Sequence, residues 1–172
     1  KSFSPSENNK DFSMGLKTSY NSKNLTFRIS GVYVGDNYRS DLGFIKRTGI
    51  LKINPDIGYT FWPENKKLQS HKIEITPVII WRPELNYQLS DYFIISRWDG
   101  QLNNGDSFNI AMRNQYTYLY DDFDPTRTEN SIPLPANSEY NYTNFEVEYN
   151  NYFSSNEFTY SVEQSFGELY NG

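Results

Sequence analysis

Few residues in this chain have the type and spacing that acid–base or nucleophilic chemistry needs. His71 is the only histidine, so the paired histidines of a zincin metalloprotease are absent. One histidine with no nucleophile elbow nearby does not indicate a catalytic triad either. Glu146 and Glu148 alternate in sequence, and residues two apart on a strand lie about 6–7 Å apart. Glycoside hydrolysis can use carboxylates at such a separation, so a carboxylate-based glycan hydrolase stays open as an alternative.

The densest carboxylate cluster is formed by Asp121, Asp122 and Asp124. Carboxylate oxygens can hold calcium, but this spacing does not match an EF-hand loop and Pro125 follows at once. We interpret the cluster as part of an acidic, solvated loop. We therefore predict no catalytic residue, no metal site and no cofactor, and enzymatic activity is the less favoured interpretation.

The composition favours β-structure. The chain has 172 residues, enough for one ordinary domain, and 17 % of them are aromatic, a class that strands prefer. The net charge of −5 argues against nucleic acid as a partner. The absence of cysteine excludes disulfides, thiolate metal sites and cysteine nucleophiles.

The elements that position these residues are predicted from alternation. Apolar residues recur at every second position over most of the chain, whereas helical periodicity is nearly absent. The pattern predicts an all-β fold, an antiparallel up-and-down meander of about eight long strands. We place these strands at 12–20, 25–33, 49–62, 71–82, 92–102, 108–120, 140–149 and 158–166.

Three local features qualify this pattern. Pro55 and Pro77 fall inside two strands and cannot donate to a ladder, so we predict a gap or bulge that the pair shares. The apolar phase changes between Tyr142 and Phe145, which predicts a β-bulge. The Asn-Gly pair that ends at Gly105 predicts a hairpin with a tight primed turn.

Strand length and loop length together indicate a membrane. Strands of about 9–13 residues exceed the usual 5–6 of soluble domains and suit a bilayer crossing. Connections after the second, fourth and sixth strands are predicted to be longer than the others, as in outer-membrane barrels. We therefore predict a transmembrane β-barrel, or part of one. A soluble β-sandwich that binds carbohydrate through surface Trp and Tyr is the alternative.

The barrel hypothesis assigns a surface to each row of side chains. The polar rows, with Arg28, Lys52, Asp56, Lys72, Glu74 and Arg113, are expected to face a lumen and to pair there. Trp62 and Trp81 lie near strand ends and are predicted to be interfacial aromatic residues, with sugar stacking as the competing role. The predicted lipid-facing residues are Leu51, Ile53, Ile57, Tyr59, Phe61, Ile73, Ile75, Ile79, Phe108, Ile110, Met112 and Tyr116.

Several phrases in order also resemble a known family. They are "NYRSDLGFIKRTGI", "YTFWPE", "LNNGDSFNI", "YTYLYDDF", "IPLPANSEYNYTNFEVEYNNY" and "SFGELYNG". Over residues 25–172 the chain resembles the C-terminal outer-membrane β-barrel region, of unassigned function, of large Bacteroidota-type proteins. Those proteins carry an N-terminal domain like carbohydrate-binding module family nine, and no residue here matches that domain.

The resemblance implies that residues 1–172 are one barrel segment of a larger chain in the bacterial outer membrane. It implies a non-enzymatic role linked to surface glycan or nutrient binding and uptake. The expected partners are outer-membrane lipid, a glycan ligand and partner chains in a larger surface complex, and nucleic acid is not among them.

Overall fold

The structure, a computed structural model, describes residues 12–39, 47–64, 67–125, 131–152 and 158–168. Eight strands and one short 3-10 helix, Pro83–Leu85, make up the regular structure of these residues. The strands are β1 Ser13–Asn21, β2 Leu25–Val34, β3 Ile50–Phe61, β4 Leu68–Arg82, β5 Gln88–Leu102, β6 Ser107–Leu119, β7 Ser138–Asn151 and β8 Tyr160–Gly167.

All eight strands belong to one antiparallel sheet in the order β1 to β8. This confirms the up-and-down meander that the alternation predicts. The two-sheet arrangement of the sandwich alternative is wrong for the described residues, because every strand pairs with its sequence neighbours in a single layer. Within the described chain the sheet is not closed, so β1 and β8 each have one strand neighbour.

The register gives the sheet two chemically different sides. Ile57 of β3 lies opposite Phe27 of β2 and Ile75 of β4, and the same side is mainly apolar on the other strands, although it also carries polar residues such as Asn114 of β6. We call this side the apolar face. Its neighbour Asp56 lies opposite Arg28 on the other side, which we call the polar face. Because side chains alternate along each strand, one register assigns every strand residue to a face.

Burial is the reverse of what a protein core shows. Among the described residues, the apolar side chains that are buried are Val34, Ile50 and Ala111. Apolar-face residues such as Ile57 and Ile75 remain 50 % and 48 % exposed. A single-layer sheet has no second layer to cover this face, and a large exposed apolar surface marks an interaction site.

The connections between strands lie at two opposite ends of the sheet. Those after β1, β3, β5 and β7 lie at one end, which we call the hairpin end, and those after β2, β4 and β6 lie at the other, the loop end. The predicted length parity is wrong at the fourth connection. β4 ends at Arg82 and β5 begins at Gln88, so only residues 83–87 join them. β5 begins four residues earlier than predicted, at Gln88 and not at Tyr92, and this shortens the predicted loop.

The proline pair produces the predicted gap. The β3–β4 ladder is interrupted between the pairs Ile53–Ile79 and Ile57–Ile75, and the register is the same on both sides. Pro55 and Pro77 are therefore opposite each other, where neither can supply the N–H that the ladder needs. The Nδ2 of Asn54 donates instead to the carbonyl oxygen of Pro77 at 2.9 Å.

The predicted bulge in the seventh strand is wrong. β6 and β7 pair without a register shift, so Tyr142 lies on the polar face and Phe145 on the apolar face. The apolar phase changes in the sequence because an aromatic residue, Tyr142, occupies a position on the polar face. Its hydroxyl donates to Gln115 there at 2.9 Å. Register shifts occur instead near both ends of the β4–β5 ladder, between Leu68 and Ser70 and between Ile80 and Trp81.

The hairpin between β5 and β6 is confirmed, but its turn type differs from the prediction. A primed turn needs positive φ at both central residues. Only Gly105 has positive φ here, at 95°, and its N–H donates to the Leu102 carbonyl at 3.1 Å. The Leu102 N–H in turn donates to the Asp106 carbonyl at 2.8 Å. This is the longer hairpin built on an ordinary turn, with glycine in the left-handed position.

Candidate functional site

All twelve residues that were predicted to face lipid lie on the apolar face. The strand register places them there in two groups, one on β3 and β4 and one on β6, and β5 lies between the groups with Tyr92, Ile94, Ser96 and Trp98 on the same face. The twelve side chains point away from the polar face, and Tyr59, Ile73 and Met112 are 44 %, 49 % and 39 % exposed. That these side chains contact lipid stays a prediction.

A row of aromatic rings crosses the apolar face near the hairpin end. Phe61 lies 4.7 Å from Tyr59 and stacks on His71 at the same centroid distance. His71 meets the edge of Trp98, which meets Phe108 at 5.1 Å. The row therefore joins four consecutive strands, β3 to β6.

His71 belongs to this row. Its Nδ1 accepts a hydrogen bond from Trp98 Nε1 at 3.3 Å, and its ring lies nearly parallel to that of Phe61. The His71 side chain is thus held by its aromatic neighbours. In the described ranges, no group of three or more His, Asp or Glu side chains could hold a metal ion.

Aromatic residues also gather at the loop end. Tyr92 stacks on Tyr116 at 5.3 Å, and Tyr118 meets Tyr120 at 4.8 Å. Trp81 lies opposite Leu51 near the loop end, whereas Trp62 follows β3 at the hairpin end. The two predicted interfacial tryptophans therefore lie at opposite ends of the sheet.

The distance between these ends suits a bilayer. The pair Leu51–Trp81 and the pair Phe61–His71 are ten residues apart along β3, or about 33 Å at the usual rise per residue. A strand tilted by about 40° would carry them about 25 Å apart along the membrane normal. That is about the height of the apolar band on outer-membrane barrels, which aromatic girdles flank on both sides.

The polar face carries ion pairs between neighbouring strands. Arg28 Nε donates to Asp56 at 2.7 Å, and Thr76 donates to the same carboxylate at 3.2 Å. Glu74 pairs with Lys72 on its own strand and lies 3.7 Å from Arg97 on β5. The predicted pairing of charges on this face is confirmed for Arg28, Asp56, Lys72 and Glu74 by these contacts, and for Arg113 by its ion pair with Glu146.

These carboxylates are packed more tightly than the apolar residues beside them. Asp56 is 6 % exposed and Glu74 is 7 % exposed, whereas Ile57 and Ile75 are about half exposed. Buried charges are stable only when they are paired and hydrogen-bonded. The paired charges of Asp56 and Glu74 are therefore shielded from water on the polar face.

The two glutamates considered for hydrolysis both lie on the polar face. Glu146 forms a two-point pair with Arg113, in which Nη2 donates to Oε1 at 3.0 Å. Glu148 accepts a hydrogen bond from Asn150 at 2.8 Å. Arg113 thus occupies one of the two carboxylates, an arrangement that stabilises strand pairing between β6 and β7.

The aspartate cluster helps to shape the long loop between β6 and β7. Asp122 accepts a hydrogen bond from the Ala136 N–H at 2.7 Å, and Asp124 accepts one from Ser131. Between these contacts Phe123 pairs with Leu134 as an isolated antiparallel bridge. The two carboxylates therefore connect the first part of the loop to Ser131 and Ala136 in its last part.

Asp106 is a connecting residue that sequence reasoning missed. It is 3 % exposed, and its carboxylate accepts hydrogen bonds from the Tyr149 hydroxyl at 2.5 Å, from Asn104 at 2.7 Å and from Asn151 at 2.9 Å. The Tyr149 hydrogen bond lowers the pKa of Asp106 below its ordinary value, against the opposing effect of burial. The turn between β5 and β6 is thereby fastened to the end of β7.

No helix among the described residues is long and apolar enough to cross a membrane.

Comparison of this chain with protein-family models, with curated proteins and with solved structures gave no significant match.

Proposed function

We propose that this chain is a non-enzymatic segment of an outer-membrane β-barrel whose apolar face contacts lipid and whose polar face lines a lumen. The observation that carries this proposal is the reversed burial. Paired carboxylates such as Asp56 are almost fully buried, whereas the adjacent Ile57 is half exposed. In water this arrangement exposes the apolar surface to solvent, which is unfavourable, whereas in a bilayer the same surface contacts hydrocarbon.

Two further features support the proposal. β3 to β7 contain 12 to 15 residues each, enough to cross the hydrocarbon core at a tilt. Aromatic residues lie toward both ends of the apolar face, Trp98 near the hairpin end and Tyr92 and Tyr116 near the loop end, and the amphipathic rings of Tyr and Trp favour the membrane–water interface.

The side chains of the polar face would determine which molecules bind in the lumen or pass through it. Near the hairpin end it forms a hollow of about 320 Å³ lined by residues that include Lys72, Asp99, Asn109 and Glu148. Amide and carboxylate groups in such a setting can hydrogen-bond sugar hydroxyls. We therefore extend the proposal to the handling of glycans or other polar nutrients at the cell surface.

A pair of variants on one strand tests the membrane assignment. Met112 lies at mid-height on the apolar face, so Met112→Lys should reduce insertion into phospholipid vesicles, since a lysine near the midplane costs about 2–4 kcal/mol. Insertion is measured by flotation with the vesicles and by protection from added protease.

The control on the polar face of the same strand is Asn109→Lys. The Asn109 amide donates to Asp99 at 2.6 Å, so a lysine there would meet a carboxylate. This variant should insert as the wild type does. Equal insertion of both variants would contradict the assignment of lipid to the apolar face.

A further inference from the structure

The apolar face is not uniform. Between β3 and β4 it contains a groove of about 370 Å³. The side chains that line it are Pro55, Ile57, Tyr59, Phe61, Ile73, Ile75 and Pro77. Apart from the Tyr59 hydroxyl, this lining offers no polar side-chain atom, so an occupant must be apolar along its length.

The proline pair explains why the groove begins where it does. At Pro55 and Pro77 the ladder is interrupted and two compact rings face each other. Toward the hairpin end, larger side chains follow on both strands, in the opposed pairs Ile57–Ile75 and Tyr59–Ile73. The stacked rings of Phe61 and His71 stand where the groove ends.

The length of the groove matches one leaflet. From Pro55 to Phe61 it covers six residues of β3, or about 20 Å along the strand. At a tilt of about 40°, that distance is about 15 Å along the membrane normal, or half of a hydrocarbon core of about 30 Å. The groove therefore runs from mid-height of the sheet to its aromatic row.

A positive charge lies beyond the hairpin end of the groove. Trp62 follows Phe61 directly, and Lys23 Nζ lies 5.6 Å from the centre of the Trp62 ring. The turn that carries Lys23 is tied to β3, because Thr60 N–H donates to the Asn24 carbonyl at 2.7 Å and Asn24 Nδ2 donates back to the Thr60 carbonyl at 2.9 Å. Lysine at the membrane surface attracts anionic lipid headgroups.

We propose that this groove holds one acyl chain of an anionic glycerophospholipid, with the lipid phosphate at Lys23. The inference rests on the proposed membrane function and adds to it a specific lipid site on an otherwise general lipid surface. A chain that fills the groove would cover the apolar surface beside the two prolines, where backbone pairing is interrupted.

The test uses the whole chain refolded in detergent, with phosphatidylglycerol added, and native mass spectrometry to count the lipid that stays bound. Ile75→Trp fills the groove and should lower the retained phosphatidylglycerol at least fivefold. Val147→Trp is the control, because Val147 lies on the apolar face of β7, outside the groove, and is similarly exposed at 41 %. This variant should retain lipid as the wild type does.

Lys23→Gln tests the headgroup separately. It should lower the preference for phosphatidylglycerol over phosphatidylcholine by about fivefold, the effect expected of one basic residue near a lipid surface. Vesicle flotation of every variant measures membrane insertion independently of lipid retention. A failure of the lipid site can therefore be told apart from a failure of the membrane function on which it rests. A wild type that neither inserts into vesicles nor forms β-structure in detergent overturns the proposed lipid contact of the apolar face, and this inference with it. Inserted chains that retain phosphatidylglycerol equally in Ile75→Trp, Val147→Trp and wild type overturn only the groove.

Discussion

At the scale of single residues, the turn carboxylate Asp106 connects elements that the sequence keeps apart. Three side-chain donors converge on it from the β5–β6 turn and from the end of β7. Its carboxylate is buried, so each of these hydrogen bonds compensates for lost contact with water. No motif marks this residue in the sequence, because its partners Tyr149 and Asn151 lie more than 40 positions away.

The lowered pKa of Asp106 predicts a pH-dependent contribution to stability. A carboxyl group whose pKa is lower in the folded state stabilises the fold at pH values above its unfolded pKa of about 3.9. That contribution is lost as the pH falls through the still lower folded pKa. Asp106→Asn should therefore be less stable than the wild type at pH 7, and the difference should shrink below about pH 4. Urea unfolding followed by tryptophan fluorescence at both pH values measures it.

Tyr149→Phe provides the control for the cause. Its hydroxyl is the first contributor to the lowered pKa, so its removal should weaken the pH dependence without removing the carboxylate. If Asp106→Asn and the wild type differ equally at pH 7 and at about pH 3, the hydrogen-bonded carboxylate is not the source of the difference.

At the scale of elements, the proline pair creates a defect that a side chain repairs. Pro77 offers a carbonyl toward β3, and the residue opposite it, Pro55, has no N–H to give. Asn54 supplies the missing donor from the neighbouring position. Asn54→Ala should therefore cost about 1 kcal/mol of unfolding free energy, the usual net value of one hydrogen bond.

A double-mutant cycle tests this repair. Pro55→Val restores an N–H opposite the Pro77 carbonyl, so Asn54→Ala should cost less in the Pro55→Val background than in the wild type. Equal costs in the two backgrounds would show that Asn54 acts in some other way. Both series are measured as urea unfolding in the same lipid or detergent.

The sequence predicts elements well where side-chain pattern determines them. Alternation identifies all eight strands, and the opposed prolines predict the ladder gap, because both features follow from residue type alone. The register shifts beside Leu68 and Trp81 leave no such mark, since a bulge is a property of the pairing of two strands. The phase change at Tyr142 misleads for a related reason: a tyrosine can lie on a polar face if a partner such as Gln115 accepts its hydroxyl.

At the scale of the whole molecule, the sheet has two edge strands, β1 and β8. β1 and β8 each pair on one side only within the described residues, and their residues are exposed. In hydrocarbon an unpaired backbone N–H or C=O costs several kcal/mol, so no open sheet edge survives there. The proposed membrane function thus requires that the outer edges of β1 and β8 pair with further strands or with each other.

The reversed burial also predicts how the isolated chain behaves in solution. Without detergent, a sheet whose apolar face is open and whose two edges are unpaired should associate, because both features favour contact with other copies. In detergent above its critical concentration, the apolar face should be covered and the chain should give a far-UV circular dichroism spectrum of β-structure in one elution peak. Size-exclusion chromatography and circular dichroism in both conditions make the comparison.

A folded monomer in plain buffer would mean that apolar surfaces of this chain cover one another, and the lipid-facing assignment would then be wrong. β-structure that forms only with detergent or lipid would identify hydrocarbon as the partner that the apolar face lacks in the single-layer sheet.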